Sequence, residues 1–270
     1  MHGKLVSAPK RSRLRGGLLV GVLCLAAQAA AQTPDVSIGG HAGLSIPNIR
    51  AGATDILSQD FASRRGVFFG IFVETKIAPR VSLVVDVNYT SQGGKRDGVQ
   101  PITMDVGLPP LPNGSYYYAD YHNETILDYV EIPVQLRLHF GTGHRFFING
   151  GPYVGFLVRG RAVTSGSSLI YLDPGKSQPI TPAPVPFDAD TDVSDSLKRT
   201  NVGITAGGGI RHRAGPGELV AEAHFQAGLT TIQRDVTTSG NNKTGAVVAS
   251  VGYSVPLCRG GSSKAKSHAR

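Results

Sequence analysis

The sequence predicts an all-β chain, an eight-stranded antiparallel up-and-down transmembrane β-barrel with four long extracellular loops. Alternation of apolar and polar residues with period two recurs over eight segments, and the connections between them alternate between long and short. The polar face of these segments is rich in glycine and serine, with few lysines, which is unlike a water-washed sheet face.

The chain opens on Lys4, Lys10, Arg11, Arg13 and Arg15, then "GGLLVGVLCLAAQAAA" and Gln32. A basic stretch, a short apolar run and an Ala-x-Ala end predict a signal peptide over residues 1–31, cut before Gln32. Its removal takes five basic residues and no acid, so the formal charge falls from +8 to +3. Arg259, Lys264, Lys266 and Arg270 put four positive charges, more than the whole remaining net charge, in a basic tail, 259–270, expected on the periplasmic side. The domain between, 32–258, is near neutral and shows no basic face for nucleic acid. Cys24 leaves with the signal and Cys258 has no intrachain partner, so an exported chain stands without disulfides. Charged residues are 17% of the chain, against about 25% in soluble domains. No later apolar run approaches the about 20 residues a helical span needs.

Strands are predicted at 36–46, 65–77, 81–93, 125–140, 145–160, 199–212, 218–232 and 244–256. The first, second and third carry His41, Glu74 and Asp86 on the polar parity, with Lys76 two residues beyond Glu74. The fourth is the clearest: in "VEIPVQLRLHF", Val130, Ile132, Val134, Leu136, Leu138 and Phe140 take one face, Glu131, Gln135 and Arg137 the other. Eleven residues at about 3.3 Å, tilted near 45°, rise about 25 Å, the height of the apolar band of an outer-membrane barrel. Pro133 lacks a ladder donor and predicts a bulge or a locally open pairing there. The fifth to eighth strands continue the pattern with Asn149 and Arg159, Arg211, Glu222 and His224, and Ser250 and Ser254 on the polar parity.

Connections at 78–80, 141–144 and 213–217 are short, whereas 47–64, 94–124, 161–198 and 233–243 are long. All the long ones fall on one end, as in barrels with tight periplasmic turns and long outer loops. An eight-stranded barrel has an interior just wide enough for side chains, so small residues must face the few large ones. That assigns the glycine-rich polar face to the lumen and the apolar face to lipid.

"FFGIFVETKIAPRVSLVVDVNYTSQGGKR", "LDYVEIPVQLRLHFG" and "FFINGGPYVGFLV", in that order, resemble the PorT-like outer-membrane β-barrel family. The resemblance spans most of 36–257. It implies an eight-stranded barrel of the bacterial outer membrane and carries no catalytic positions. One departure is the end of the last strand, "YSVPLC", where such barrels usually close the chain on an aromatic residue.

Glu74, Asp86, Glu131 and Glu222 are therefore expected to share the lumen with Lys76, Arg137, Arg159, Arg211 and His224 as a mutually satisfied charge network. His41, Glu222, His224 and inward serines could alternatively build a hydrolase site, and a small-solute channel is a further alternative. In loop 94–124, Tyr116, Tyr117, Tyr118 and Tyr121 are candidates for a contact surface or an aromatic girdle. Loop 161–198, proline-rich then acidic, is expected to be extended and mobile and able to take a partner. The expected function is non-enzymatic: binding, adhesion or envelope assembly through the loops, or a structural role, with no cofactor and no metal. Expected partners are outer-membrane lipid, the barrel assembly machinery and an extracellular or envelope protein, the chain itself being a monomer.

Overall fold

A computed structural model describes residues 35–258 apart from 52–56, 58–59, 113–114, 142–144 and 237–239. The segments read as signal peptide and basic tail lie outside the described residues.

Eight long strands form the barrel: β1 (Val36–Ala51), β2 (Gly66–Ala78), β3 (Val81–Arg96), β4 (His122–Phe140), β5 (Arg145–Ser165), β6 (Thr200–Ala214), β7 (Gly217–Gly228) and β8 (Asn242–Cys258). Each pairs antiparallel with the next, and β1 pairs with β8 along its length, so the sheet closes on itself. Closure leaves no unpaired edge within the hydrocarbon, which a lipid-spanning sheet requires.

The two faces separate as the alternation requires. Glu131, Gln135 and Arg137 are buried in the lumen while Leu136 is 54% exposed on the outside. Phe69, Ile71, Phe156, Ile204 and Phe225 join it on the outer face. Leu136→Arg should therefore destabilise the barrel in lipid vesicles by about 2–4 kcal/mol, a mid-bilayer cation being costly. Reversible unfolding by urea would measure it, and no change would place this face away from lipid.

The lumen is filled by large side chains set against absent ones. A Cβ added to Gly203 would stand 2.4 Å from Cζ of Tyr153, and one on Gly39 would stand 2.4 Å from Cζ of Phe72. These contacts explain why the inward parity of β1 and β6 reads as glycine. At Pro133 the ladder is open toward β3, where pairing is interrupted between Val85 and Asn88 without a register shift; toward β5 Pro133 keeps Tyr153 as its partner, and the interruption falls just beyond it, between Tyr153 and Gly150.

Three expectations are corrected. Most strands run further on the extracellular side than the alternation shows, with β4 beginning at His122 and β5 ending at Ser165. Above the lipid, backbone pairing continues but no longer needs an apolar outer face. In the other direction, β7 stops at Gly228, because the chain turns there: Thr230 Oγ1 accepts from the Val202 amide and Ile232 is buried in the barrel mouth.

The third correction is to loop 161–198, which is neither extended nor loose. Its start continues β5, Ala189–Asp192 folds back to pair with 161–164, and Ser167–Ser168 pairs with Val185–Pro186. Ile170 and Phe187 are buried against Ile102, Ala119 and Tyr121 of loop 94–124. Apolar residues spaced among the prolines supply a core, which composition alone conceals.

Candidate functional site: lumen network and extracellular cap

Two places gather functional side chains, the periplasmic half of the lumen and the loops above the barrel. In the lumen, Arg137 of β4 is the centre. Its Nη1 donates to Glu74 Oε2 at 3.0 Å and its Nη2 to Glu222 Oε2 at 2.8 Å, while its guanidinium lies 4.2 Å from the Phe147 ring centroid. Arg211 of β6 also pairs with Glu74, and reaches Glu218 at 3.4 Å. Asn149 donates at 2.8 Å to Glu222 and at 2.8 Å to Gln135, which in turn donates to Asp86 at 3.2 Å.

Each of three histidines stands beside a different carboxylate. His139 Nε2 is 3.1 Å from Glu74, His224 Nδ1 is 3.4 Å from Glu222, and His41 Nε2 is 3.8 Å from Asp86 and 2.7 Å from Asn88 Oδ1. The parity of β2, β3, β4, β6 and β7 thus brings Glu74, Asp86, Arg137, Arg211, Glu222 and His224 into one group. Glu131 lies in the lumen but outside it, bonded to Gln92 and Gln226 instead.

Arg159 and Lys76 do not join the network. An extra residue enters β5 where its pairing with β4 shifts, Asp128 facing Arg159 and Tyr129 facing Leu157. The bulge reverses the parity, so Arg159 is exposed on the outside of the strand. Lys76 lies at the periplasmic rim, its side chain 46% exposed and 3.7 Å from Asp35. There a vestibule of about 1020 Å³ opens below the network, lined by Arg80, Arg145, Arg213 and Glu218 among others.

Above the network the lumen holds two apolar clusters. Phe68, Ala246 and Val248 pack as one apolar layer, and Leu127, Tyr129, Leu157, Leu197 and Ile232 as another.

The extracellular cap rests on the upper layer. Tyr118 and Tyr171 exchange backbone hydrogen bonds at 2.9 and 2.8 Å, tying loop 94–124 to loop 161–198. Tyr121 stacks on Phe187 with centroids 4.6 Å apart and planes 9° from parallel. Tyr121 is therefore a core residue of the cap rather than a contact surface or girdle, and burial pushes its phenol up to about 12. Tyr116, Tyr117 and Tyr118 are partly exposed on the cap, Tyr117 donating from its hydroxyl to Pro109 O at 2.8 Å. Ion pairs brace the base: Arg64 with Glu124 at 2.7 Å, His122 with Asp97, Lys176 with Asp120, and Arg161 with Asp190.

Residues missed at the sequence level are Gln92 and Glu218, which continue the inward parity of β3 and β7, so extending the alternation would have found them. His139 takes the polar parity of "VEIPVQLRLHF", and the structure adds it to the network beside Glu74.

A closed eight-stranded barrel with a lipid-facing apolar band, short turns below and long loops above is now in view. Residues 26–234 match the family model for the outer membrane protein beta-barrel domain. The chain belongs to that family. As a member of the outer membrane protein β-barrel domain family, it resides in the bacterial outer membrane.

No curated protein matches the chain. Among solved structures, it is similar to Ail, the attachment invasion locus protein of Yersinia pestis, in complex with the heparin analogue sucrose octasulfate. That match has 10% identity and a TM-score of 0.37, covering 82% of this chain and 99% of that one. Neisserial surface protein A (NspA) is similar at 12% identity and a TM-score of 0.35, over 80% of this chain and 95% of that one. The outer membrane protease OmpT from Escherichia coli is similar at 9% identity and a TM-score of 0.45, over 84% and 98%. None of these values bears on activity.

Proposed function

We propose that this family member is a PorT-like, non-enzymatic barrel that binds a partner protein, outside the cell or in the envelope, through its extracellular cap. The observation that carries this reading is the cap's own apolar core, Ile102, Ala119, Tyr121, Ile170 and Phe187. Loops that merely join strands have no use for a core; one that orders two long loops holds a defined surface in place. Tyr116, Tyr117 and Tyr171, half-buried, and Leu172, 43% exposed, offer aromatic and apolar area at low entropic cost.

The lumen favours a supporting role over chemistry or transport. His41 and His224 lie beneath the apolar layers, which stand between them and a polypeptide substrate outside the cell. In planar bilayers the protein should give no stepwise conductance, and steady channels would overturn the closed-lumen reading.

A photoreactive amino acid tests the cap directly. At Tyr117 or Leu172, on intact cells, it should give a discrete protein adduct, whereas at lipid-facing Val158 it should give only lipid. Adducts absent from the cap positions, or equal at all of them, would remove the binding role.

A further inference from the structure

Among the described residues Glu131 has no cationic partner. Its residue exposure is 0%, and its Oε1 accepts from Gln92 Nε2 while its Oε2 accepts from Gln226 Nε2 at 2.8 Å. Among the described residues it forms no ion pair. Apolar layers lie on either side of it, Leu127, Leu157 and Ile232 above and Phe68, Ala246 and Val248 below. A bare carboxylate in such surroundings is heavily disfavoured, so a positive charge must reach it, either a proton or a metal ion.

The neighbouring atoms decide between them. Both amides turn N–H toward the carboxylate, and a proton on it could reach only one further oxygen, whereas a cation is shared among several. The carbonyl Oε1 of Gln92 and the hydroxyls of Thr90, Tyr129 and Thr205 are buried without a protein partner. Thr90 is the register partner of Tyr129, and Thr205 that of Gln226, whose amide holds the carboxylate, so these residues stand at the level of Glu131 on β3, β4 and β6.

Carboxylate, amide carbonyl and hydroxyl oxygens are the donors of hard cations, with none of the nitrogen or sulfur that transition metals favour. One carboxylate balances one positive charge; calcium sites gather several. We infer that Glu131, Gln92, Thr90, Tyr129 and Thr205 form a buried site for a monovalent alkali cation in the upper lumen. The ion neutralises Glu131 and joins strands that the Arg137 network does not reach at this level.

The full chain can be refolded into detergent micelles in choline chloride or in sodium chloride of equal ionic strength, and its thermal midpoint followed. Sodium should raise the midpoint saturably by several degrees, and one sodium ion per folded chain should survive gel filtration into choline buffer. E131Q keeps the shape but not the charge, and should lose both effects. Thr205→Val, which removes one donor and leaves Glu131 in place, should weaken the sodium dependence by about tenfold or more. A wild-type midpoint indifferent to sodium, with no retained ion, overturns the site and leaves Glu131 protonated. So does an E131Q or Thr205→Val protein that responds to sodium as the wild type does; if E131Q does not fold, the Thr205→Val comparison decides.

Discussion

Replacing Arg137 with methionine should cost the barrel about 3–5 kcal/mol, measured as a loss of urea stability in detergent or vesicles. Methionine fills much of the same volume and keeps a contact with Phe147, so the effect would isolate the charge. Glu74 and Glu222 would then stand buried with one guanidinium, Arg211, between them and that one committed to Glu74. Removing one member of a buried ion network is expensive because the partner's charge remains. Arg137→Lys should recover only part of the loss, since a single ammonium does not reproduce a fork that spans two carboxylates. Triple replacement by Arg137→Met, Glu74→Gln and Glu222→Gln should recover more. If the single change is neutral, the lumen is wet enough to screen both acids, and the network contributes little to the fold.

Phe187→Ala is expected to open the cap and spare the barrel. The ring is 2% exposed and stacked on Tyr121, and deleting a buried phenyl group costs about 3–5 kcal/mol. A small core with few other members has little with which to absorb that loss. Limited proteolysis should cleave loops 94–124 and 161–198 rapidly in the variant, while its β spectrum and its mobility as a folded barrel stay unchanged. Partner capture through the cap should fall in parallel. A variant as resistant as the wild type would show that strand pairing, not the apolar core, orders these loops.

The legible part of the molecule follows from how local each constraint is. Alternation along "VEIPVQLRLHF" states both faces of β4, because lipid on one side and a narrow lumen on the other act on every residue. Strand order follows from the short turns. Arg159 was misplaced because one inserted residue inverts every later side chain, and nothing in "FLVRGR" marks the bulge. The cap escaped for a different reason. Tyr121 and Phe187 are far apart in the chain, and their stacking depends on two loops being brought together by strands neither belongs to. The pairing of charges was similarly open: parity put Glu131 and Arg137 in one lumen, but the separation of their partners depends on which strands face one another across it.

β4 and β5, of 19 and 21 residues, are the longest strands. Between Tyr129 and His122 runs about 23 Å of strand, or about 16 Å of height at a tilt near 45°. That hairpin carries the tyrosine-bearing loops about 16 Å beyond the level of Tyr129 in the upper apolar layer. A partner bound at the cap, as proposed, is therefore held that far from the lumen rather than at the rim of the shorter strands.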